Sequence, residues 1–128
     1  MKNIIAAAAL AGAVFAAGAA TAADNETMMA AQGQNVFQHR CGGCHSADPS
    51  KNTFGPSLSG VVGRPAASLA RFAYSDALKA SKIVWTEDNL RKWIAGNDQF
   101  VPGTRMRHIA ITDGAEQDYL LAFLRALK

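Results

Sequence analysis

The feature that most constrains this chain is the segment Cys41-Gly42-Gly43-Cys44-His45, which contains both of its cysteines. Two thiols three residues apart lie on one side of a turn, where they can add to the two vinyl groups of a haem. The next residue, His45, then lies under the iron as the proximal ligand. The C-x-x-C-H pattern therefore predicts one haem c, attached through Cys41 and Cys44, and a fold that is built around it.

Two other interpretations of the cysteine pair are weaker. A redox dithiol of a thiol–disulfide oxidoreductase expects a βαβ context, and no β-branched run precedes Cys41. A structural zinc site needs two further ligands, and the histidines at 39, 45 and 108 do not have zinc-finger spacing. Absence of a haem spectrum after export would bring the dithiol interpretation back.

Residues 1–23 have the composition of an export signal. They contain 12 alanines, one lysine and no acid, and they end in the small-x-small pattern Ala20-Thr21-Ala22. The apolar run is shorter and less hydrophobic than the roughly 20 residues that a membrane span needs. We therefore predict a secretory signal peptide that is cleaved after Ala22 or Ala23, and a soluble periplasmic domain at 24–128 without stable membrane insertion.

Composition limits what this domain can do. Without Lys2 the formal charge falls from +3 to +2, which argues against a strongly cationic nucleic-acid binder. About 105 residues make a single domain, and two cysteines cannot form a framework of several disulfides. No nucleophile–base constellation is apparent, so we predict a protein that is not an enzyme.

A carrier haem needs a sixth iron ligand, and Met106 is the best candidate. It lies in Val101-Pro102-Gly103-Thr104-Arg105-Met106-Arg107, which Pro and Gly mark as an irregular loop. Met28 and Met29 lie too close to the mature N-terminus. The other interpretation of Met106 is a side chain that fills a gap in the core. His108 is the main competitor for the iron, because the same loop could present either residue.

Apolar spacing predicts an all-α fold with long loops at 46–73 and 97–112. A first helix is expected over Glu26 to His39, a short helical piece over Ser75 to Ser81, and a third helix from the N-cap Thr86 to Gly96. Asp113 and Glu116 resemble a capping pair for a last helix. Its predicted apolar stripe comprises Tyr119, Leu120, Phe123, Leu124 and Leu127. A bound haem would order loops that are otherwise long for a compact domain.

Several further motifs occur in the order found in class I cytochrome c, and from roughly Gly33 to Leu127 the sequence resembles that family. They are Gly33 with Phe37, Gly55-Pro56-x-Leu58-x-Gly60, Gly63-Arg64, Tyr74-Ser75-x-Ala77, Ile83-x-Trp85-Thr86 and Pro102-Gly103-Thr104-x-Met106. The resemblance implies three main helices plus short helices and long loops around one covalent haem. It also implies that Gly33 and Phe37 pack on the last helix.

The same resemblance implies a set of roles around the haem. The carbonyl of Pro56 would support His45, and Met106 would be the sixth ligand. Arg64, Tyr74 and Trp85 would neutralise or hydrogen-bond the haem propionates, and Thr104 would brace one of them. One departure concerns the sulfur of Met106: Trp93 stands where many members carry a tyrosine, so a phenol hydroxyl is missing there.

The resemblance implies a monomeric carrier of single electrons that docks transiently with redox proteins. Its donor would be a quinol-oxidising complex or a periplasmic dehydrogenase, and its acceptor an oxidase, a peroxidase or a reaction centre. Segment 64–107 has eight basic and four acidic residues, which suggests a weakly basic docking face. The alternative function is a haem peroxidase or gas-binding protein with a labile Met106, suggested by His108 and Trp93.

Overall fold

The computed structural model describes residues 21–128, and this part of the chain is helical. It contains α1 (Ala22–Arg40), α2 (Asp76–Ser81), α3 (Glu87–Phe100) and α4 (Gly114–Ala126). The described residues contain no strand, only one isolated bridge between Pro65 and Val84. The prediction of an all-α fold with three main helices is confirmed. No helix among these residues is both long and apolar enough to span a membrane.

Each helix begins at a polar cap that the sequence provides. Thr21, Ser75, Thr86 and Asp113 have extended backbones, and their side chains accept hydrogen bonds from the first turn of the helix that follows. The predicted pair at α4 is only half of a capping box. Asp113 accepts from the Glu116 N–H at 2.8 Å, but the Glu116 carboxylate pairs with Arg40 of α1 at 2.7 Å.

Helix α1 begins four residues before the predicted start at Glu26. The reason is a complete capping box, in which Thr21 and Asp24 bond to each other's backbone N–H. The predicted signal peptide lies outside the described residues except for its last three. Cleavage after Ala22 or Ala23 stays a prediction; it would fall in the first turn of α1 and remove the Thr21 cap.

Helices α1 and α4 cross closely at Gly33. A Cβ built on Gly33 would lie 1.9 Å from the carbonyl oxygen of Tyr119 and 2.7 Å from Cβ of Phe123, so only glycine allows this approach. One turn later, the rings of Phe37 and Phe123 pack with their centroids 5.2 Å apart. Gly33 and Phe37 therefore pack on the last helix, as the resemblance implies. Arg125 of α4 adds ion pairs to Glu26 and Glu87 on the other two long helices.

The predicted apolar stripe of α4 is wrong at Tyr119, which is 37% exposed. The most deeply buried part of the helix is instead the run Leu120, Leu121 and Ala122, each at most 1% exposed. A single stripe cannot describe this helix, because α4 packs against both α1 and α3. Burial on more than one side weakens the 3.6-residue period on which the prediction relied.

Helix α3 has a kink where its end was predicted. Gly96 has an extended, non-helical backbone (φ 178°, ψ 81°), and a further turn continues to Phe100. Gly96 therefore ends the regular part of α3, and Asn97 begins a short segment that leads into the loop at 101–112. This kink brings the second half of α3 against the loop that carries Met106.

Candidate functional site

One cavity of about 580 Å³ opens between the helices and the long loops. Its volume is within the usual range for a cofactor site. All nine residues that the sequence predicted to bind the cofactor line this cavity: Cys41, Cys44, His45, Pro56, Arg64, Tyr74, Trp85, Thr104 and Met106. The structure therefore brings together residues that are up to 65 positions apart in the sequence.

The end of α1 places the two thiols and the histidine on the cavity wall. The N–H groups of Cys41 and Gly42 both donate to the Phe37 carbonyl, at 2.8 and 2.7 Å. The chain then turns, with the N–H groups of Cys44 and His45 donating to the Cys41 carbonyl at 3.0 and 2.8 Å. This turn presents the side chains of Cys41, Cys44 and His45 to one cavity, and neither cysteine forms a disulfide.

Burial makes the thiol of Cys41, at the end of α1, less acidic than that of an ordinary cysteine. It raises the pKa of the Cys41 thiol to about 11, with a further increase from Cys44 and an opposing effect from Arg40. The thiol is therefore held in its protonated form at neutral pH. A nucleophilic redox cysteine is expected to have a lowered pKa instead, so this environment does not favour a thiol–disulfide oxidoreductase.

His45 is held in place through one ring nitrogen, which leaves the other nitrogen free to bind a metal. The ring is 8% exposed, and with the proton on Nδ1 it donates to the Pro56 carbonyl at 2.8 Å. This assignment leaves the lone pair on Nε2, which is the form that binds iron. Burial lowers the pKa of His45, and the electrostatic effect of His108 lowers it further. The hydrogen bond to the Pro56 carbonyl has the opposite effect on this pKa. The neutral imidazole is thus the favoured state.

Gly55 leaves room for the His45 ring. A Cβ on Gly55 would lie 2.4 Å from Cε1 and 2.6 Å from Nδ1 of the imidazole, well inside van der Waals contact. The loop can therefore support the ring from behind only because residue 55 has no side chain. This close support, the two thiols and the free Nε2 are what a covalently attached haem requires of the proximal side, so the residues fit the group.

Met106 lines the same cavity and is held at both its sulfur and its backbone carbonyl. Its sulfur accepts a hydrogen bond from the indole Nε1 of Trp93, at 3.3 Å. Its carbonyl accepts one from the side-chain amide of Asn97, at 2.8 Å. The indole N–H of Trp93 is therefore a donor to the sulfur, at the position where the family resemblance implies a tyrosine hydroxyl.

His108 also lines the cavity, but both of its ring nitrogens face backbone carbonyls. Nδ1 lies 2.9 Å from the oxygen of Ile109, and Nε2 lies 3.3 Å from the oxygen of Trp93. Because both ring nitrogens point at carbonyl oxygens, His108 would have to break one of these contacts before it could bind a metal. Met106, whose sulfur is a weak acceptor held by one donor, is better placed to serve as a ligand.

The four predicted propionate contacts Arg64, Tyr74, Trp85 and Thr104 line the same cavity and each carries a polar or charged group, and we call them the polar wall. Arg64 donates to the carbonyls of Ser59 and Ser57 at 2.8 and 3.0 Å. Partial burial lowers the pKa of Arg64, with Tyr74 opposing the change, and burial raises the pKa of Tyr74. Trp85 and Thr104 are buried, and the Trp85 ring packs edge-on against Trp93 at 5.0 Å.

Sequence reasoning missed Asn97, the buried amide on the Met106 carbonyl. It is 7% exposed and lies directly after the kink, and no motif or period marks it. The zinc alternative gains no support, because no three His, Cys, Asp or Glu side chains within 21–128 are placed to share a metal ion. The dithiol alternative lacks its βαβ context in the same part of the chain.

Comparison with known proteins agrees with this geometry. The family model described as Cytochrome c matches residues 30–128. Cytochrome c2 of Blastochloris viridis is 40% identical over 113 residues, covering 88% of this chain and 86% of the relative. Cytochrome c of Euglena viridis is 35% identical over 99 residues, covering 77% and 97%.

Among solved structures, cytochrome cH from Methylobacterium extorquens has a similar fold, with a TM-score of 0.70 and 39% identity. The similarity covers 76% of this chain and 97% of that one. Family membership implies a covalent haem c and supports a role in electron transport. The family match, the relatives and the shared fold together show that the chain belongs to the cytochrome c family, as a class I c-type cytochrome.

Proposed function

We propose that this protein is a periplasmic carrier of single electrons whose one haem c is bound through Cys41 and Cys44, with its iron between His45 and Met106. The observation that carries the proposal is the shared cavity. It presents two thiols, an imidazole with a free Nε2 and a thioether to one space, in a chain of the cytochrome c family. When bound, the haem iron supplies the change of oxidation state.

The surrounding residues would hold both iron ligands, His45 and Met106, in place during electron transfer. Pro56 and Gly55 hold the His45 ring in one orientation, and Trp93 and Asn97 hold Met106. Arg64, Tyr74, Trp85 and Thr104 would bind the propionates at the polar wall. Fixed ligands reduce the reorganisation that accompanies electron transfer. The alternative with a labile methionine is not favoured, because Met106 is bonded at both the sulfur and the carbonyl.

The mouth of the cavity supports docking with acidic redox partners. Arg105 and Arg107 flank Met106 in the sequence, and the apolar side chains of Phe54 and Ile109, which are 88% and 77% exposed, line the same cavity. A small apolar centre with basic neighbours suits a brief, electrostatically guided encounter. The partners would be a quinol-oxidising complex or periplasmic dehydrogenase as donor, and an oxidase, peroxidase or reaction centre as acceptor.

We expect electron transfer with such a partner to slow as ionic strength rises, because salt screens the attraction between the docking faces. Stopped-flow rates measured between about 0.01 and 0.5 M salt would check this. A rate that does not respond to salt would contradict the basic docking face, while leaving the haem site untouched.

The test of the proposal is expression of the full chain in a host with cytochrome c maturation factors. We expect a periplasmic monomer that begins at Ala23 or Asp24, carries one covalent haem and binds no carbon monoxide when reduced. Cys44→Ala should cripple attachment and hence folding, because the domain depends on its cofactor for a core. A colourless wild-type protein would contradict the proposal, and rapid carbon monoxide binding would contradict the stable Met106 ligand.

A further inference from the structure

The kink at Gly96 creates a set of contacts between α3 and the loop at 101–112. The Ile94 carbonyl accepts a hydrogen bond from the Ile111 N–H at 2.8 Å, and the Trp93 carbonyl lies 3.3 Å from Nε2 of His108. The Asn97 amide then reaches the Met106 carbonyl from the far side of the kink. The loop has no helix of its own, so these bonds to α3 define where its backbone lies.

Asn97 is the buried member of this set. Its Nδ2 donates to the Met106 carbonyl at 2.8 Å, while its Oδ1 accepts from the Asp98 N–H at 3.0 Å, so both ends of the amide are used. Arg107 also reaches the Met106 carbonyl, at 3.2 Å, but its side chain is 68% exposed. A bond made by an exposed, flexible side chain constrains the loop less than one made from the core.

From this geometry we infer that Asn97 is a positioning residue that keeps Met106 in the haem site by holding its backbone. The inference rests on the proposed role of Met106 as iron ligand. Trp93 acts on the sulfur, and therefore on the electronic character of the ligand. Asn97 acts on the carbonyl, five bonds away, and therefore on how often the whole residue leaves the site. The two effects are separable by experiment.

The test is imidazole binding to the haem-loaded ferric protein. Imidazole competes with the methionine, so its apparent affinity reports the fraction of molecules in which Met106 has moved away. Removing a buried donor leaves the Met106 carbonyl without its inner partner, and we expect Asn97→Ala to bind imidazole about tenfold more tightly. In the remaining Met-bound population, the Met–iron charge-transfer band should keep its position.

The chain offers a matched control on the same helix. The Asn89 side chain also donates to a backbone carbonyl, that of Val84, at 2.8 Å, but it does not contact the Met106 loop. Asn89→Ala should therefore leave imidazole affinity within about twofold of wild type. A second variant, Asn97→Leu, has the same branched arrangement of side-chain heavy atoms without a donor, and it should reproduce the tenfold change if the hydrogen bond is the cause.

The outcomes separate this inference from the proposed function. If the wild type shows a Met–iron band and Met106→Ala opens the site, but Asn97→Ala and Asn97→Leu bind imidazole as wild type does, the inference is overturned alone. If the Asn97 variants lose stability without any gain in imidazole affinity, Asn97 is only structural and the inference is again overturned. If the wild type has no Met–iron band, the Met106 assignment itself fails. Should Asn97→Ala not fold, Asn97→Leu decides.

Discussion

Met106→Ala should leave the haem attached but open the sixth position of the iron. Attachment depends on Cys41, Cys44 and His45 at the end of α1, whereas Met106 lies in the loop at 101–112, so different segments of the chain carry the two functions. The reduced variant should bind carbon monoxide rapidly, and its charge-transfer band should disappear. Loss of the thioether should lower the reduction potential by on the order of 0.1 V, within the roughly 0.8 V that axial ligands span.

Two further variants make this result specific. Met28 lies on α1 and is 66% exposed, so Met28→Ala should change neither carbon monoxide binding nor the potential. If Met106→Ala remains six-coordinate, the double variant with His108→Ala tests whether His108 has left its backbone contacts to take the iron. An unchanged charge-transfer band in Met106→Ala would refute the ligand assignment outright.

The cavity wall could be predicted from the sequence because its chemistry is local. Cys41, Cys44 and His45 form one short motif, and Met106 lies in a loop that Pro102 and Gly103 mark. In such segments the residue types and their spacing carry the signal by themselves. The order of the motifs added the residues of the polar wall, including Arg64, and the structure places all of them around one cavity.

The contact that Asn97 makes with the Met106 backbone carbonyl could not be predicted in this way. The Asn97 bond to Met106 depends on the kink at Gly96 and on the path of a loop without a periodic pattern. The exposure of Tyr119 depends on which sides of α4 the other helices cover. These features arise from tertiary packing, whereas a single sequence reports local preference and period. The hydrogen bond from the Trp93 indole to the Met106 sulfur likewise depends on how α3 and the loop pack against each other.

Gly33→Ala should destabilise the haem-loaded protein more than any conservative change on its surface. The added methyl would lie 1.9 Å from the Tyr119 carbonyl oxygen, which belongs to the backbone of α4 and cannot rotate away. The two helices must move apart, which disturbs the Phe37–Phe123 contact one turn further along. Overpacking of this kind costs about 3 kcal/mol or more, against a gain of at most about 1 kcal/mol from helix propensity.

Guanidinium and thermal unfolding of the holoprotein measure this effect. A net loss of about 2–3 kcal/mol corresponds to a fall in melting temperature of roughly 10–20 °C for a domain of this size. Gly114→Ala is the matched control, since it also adds a methyl to a helical glycine but meets no atom within 4 Å. If Gly33→Ala melts within a few degrees of Gly114→Ala, the close crossing of α1 and α4 does not exist in solution. The packing of α1 on α4 would then not be what fixes the position of the turn that carries Cys41 and His45.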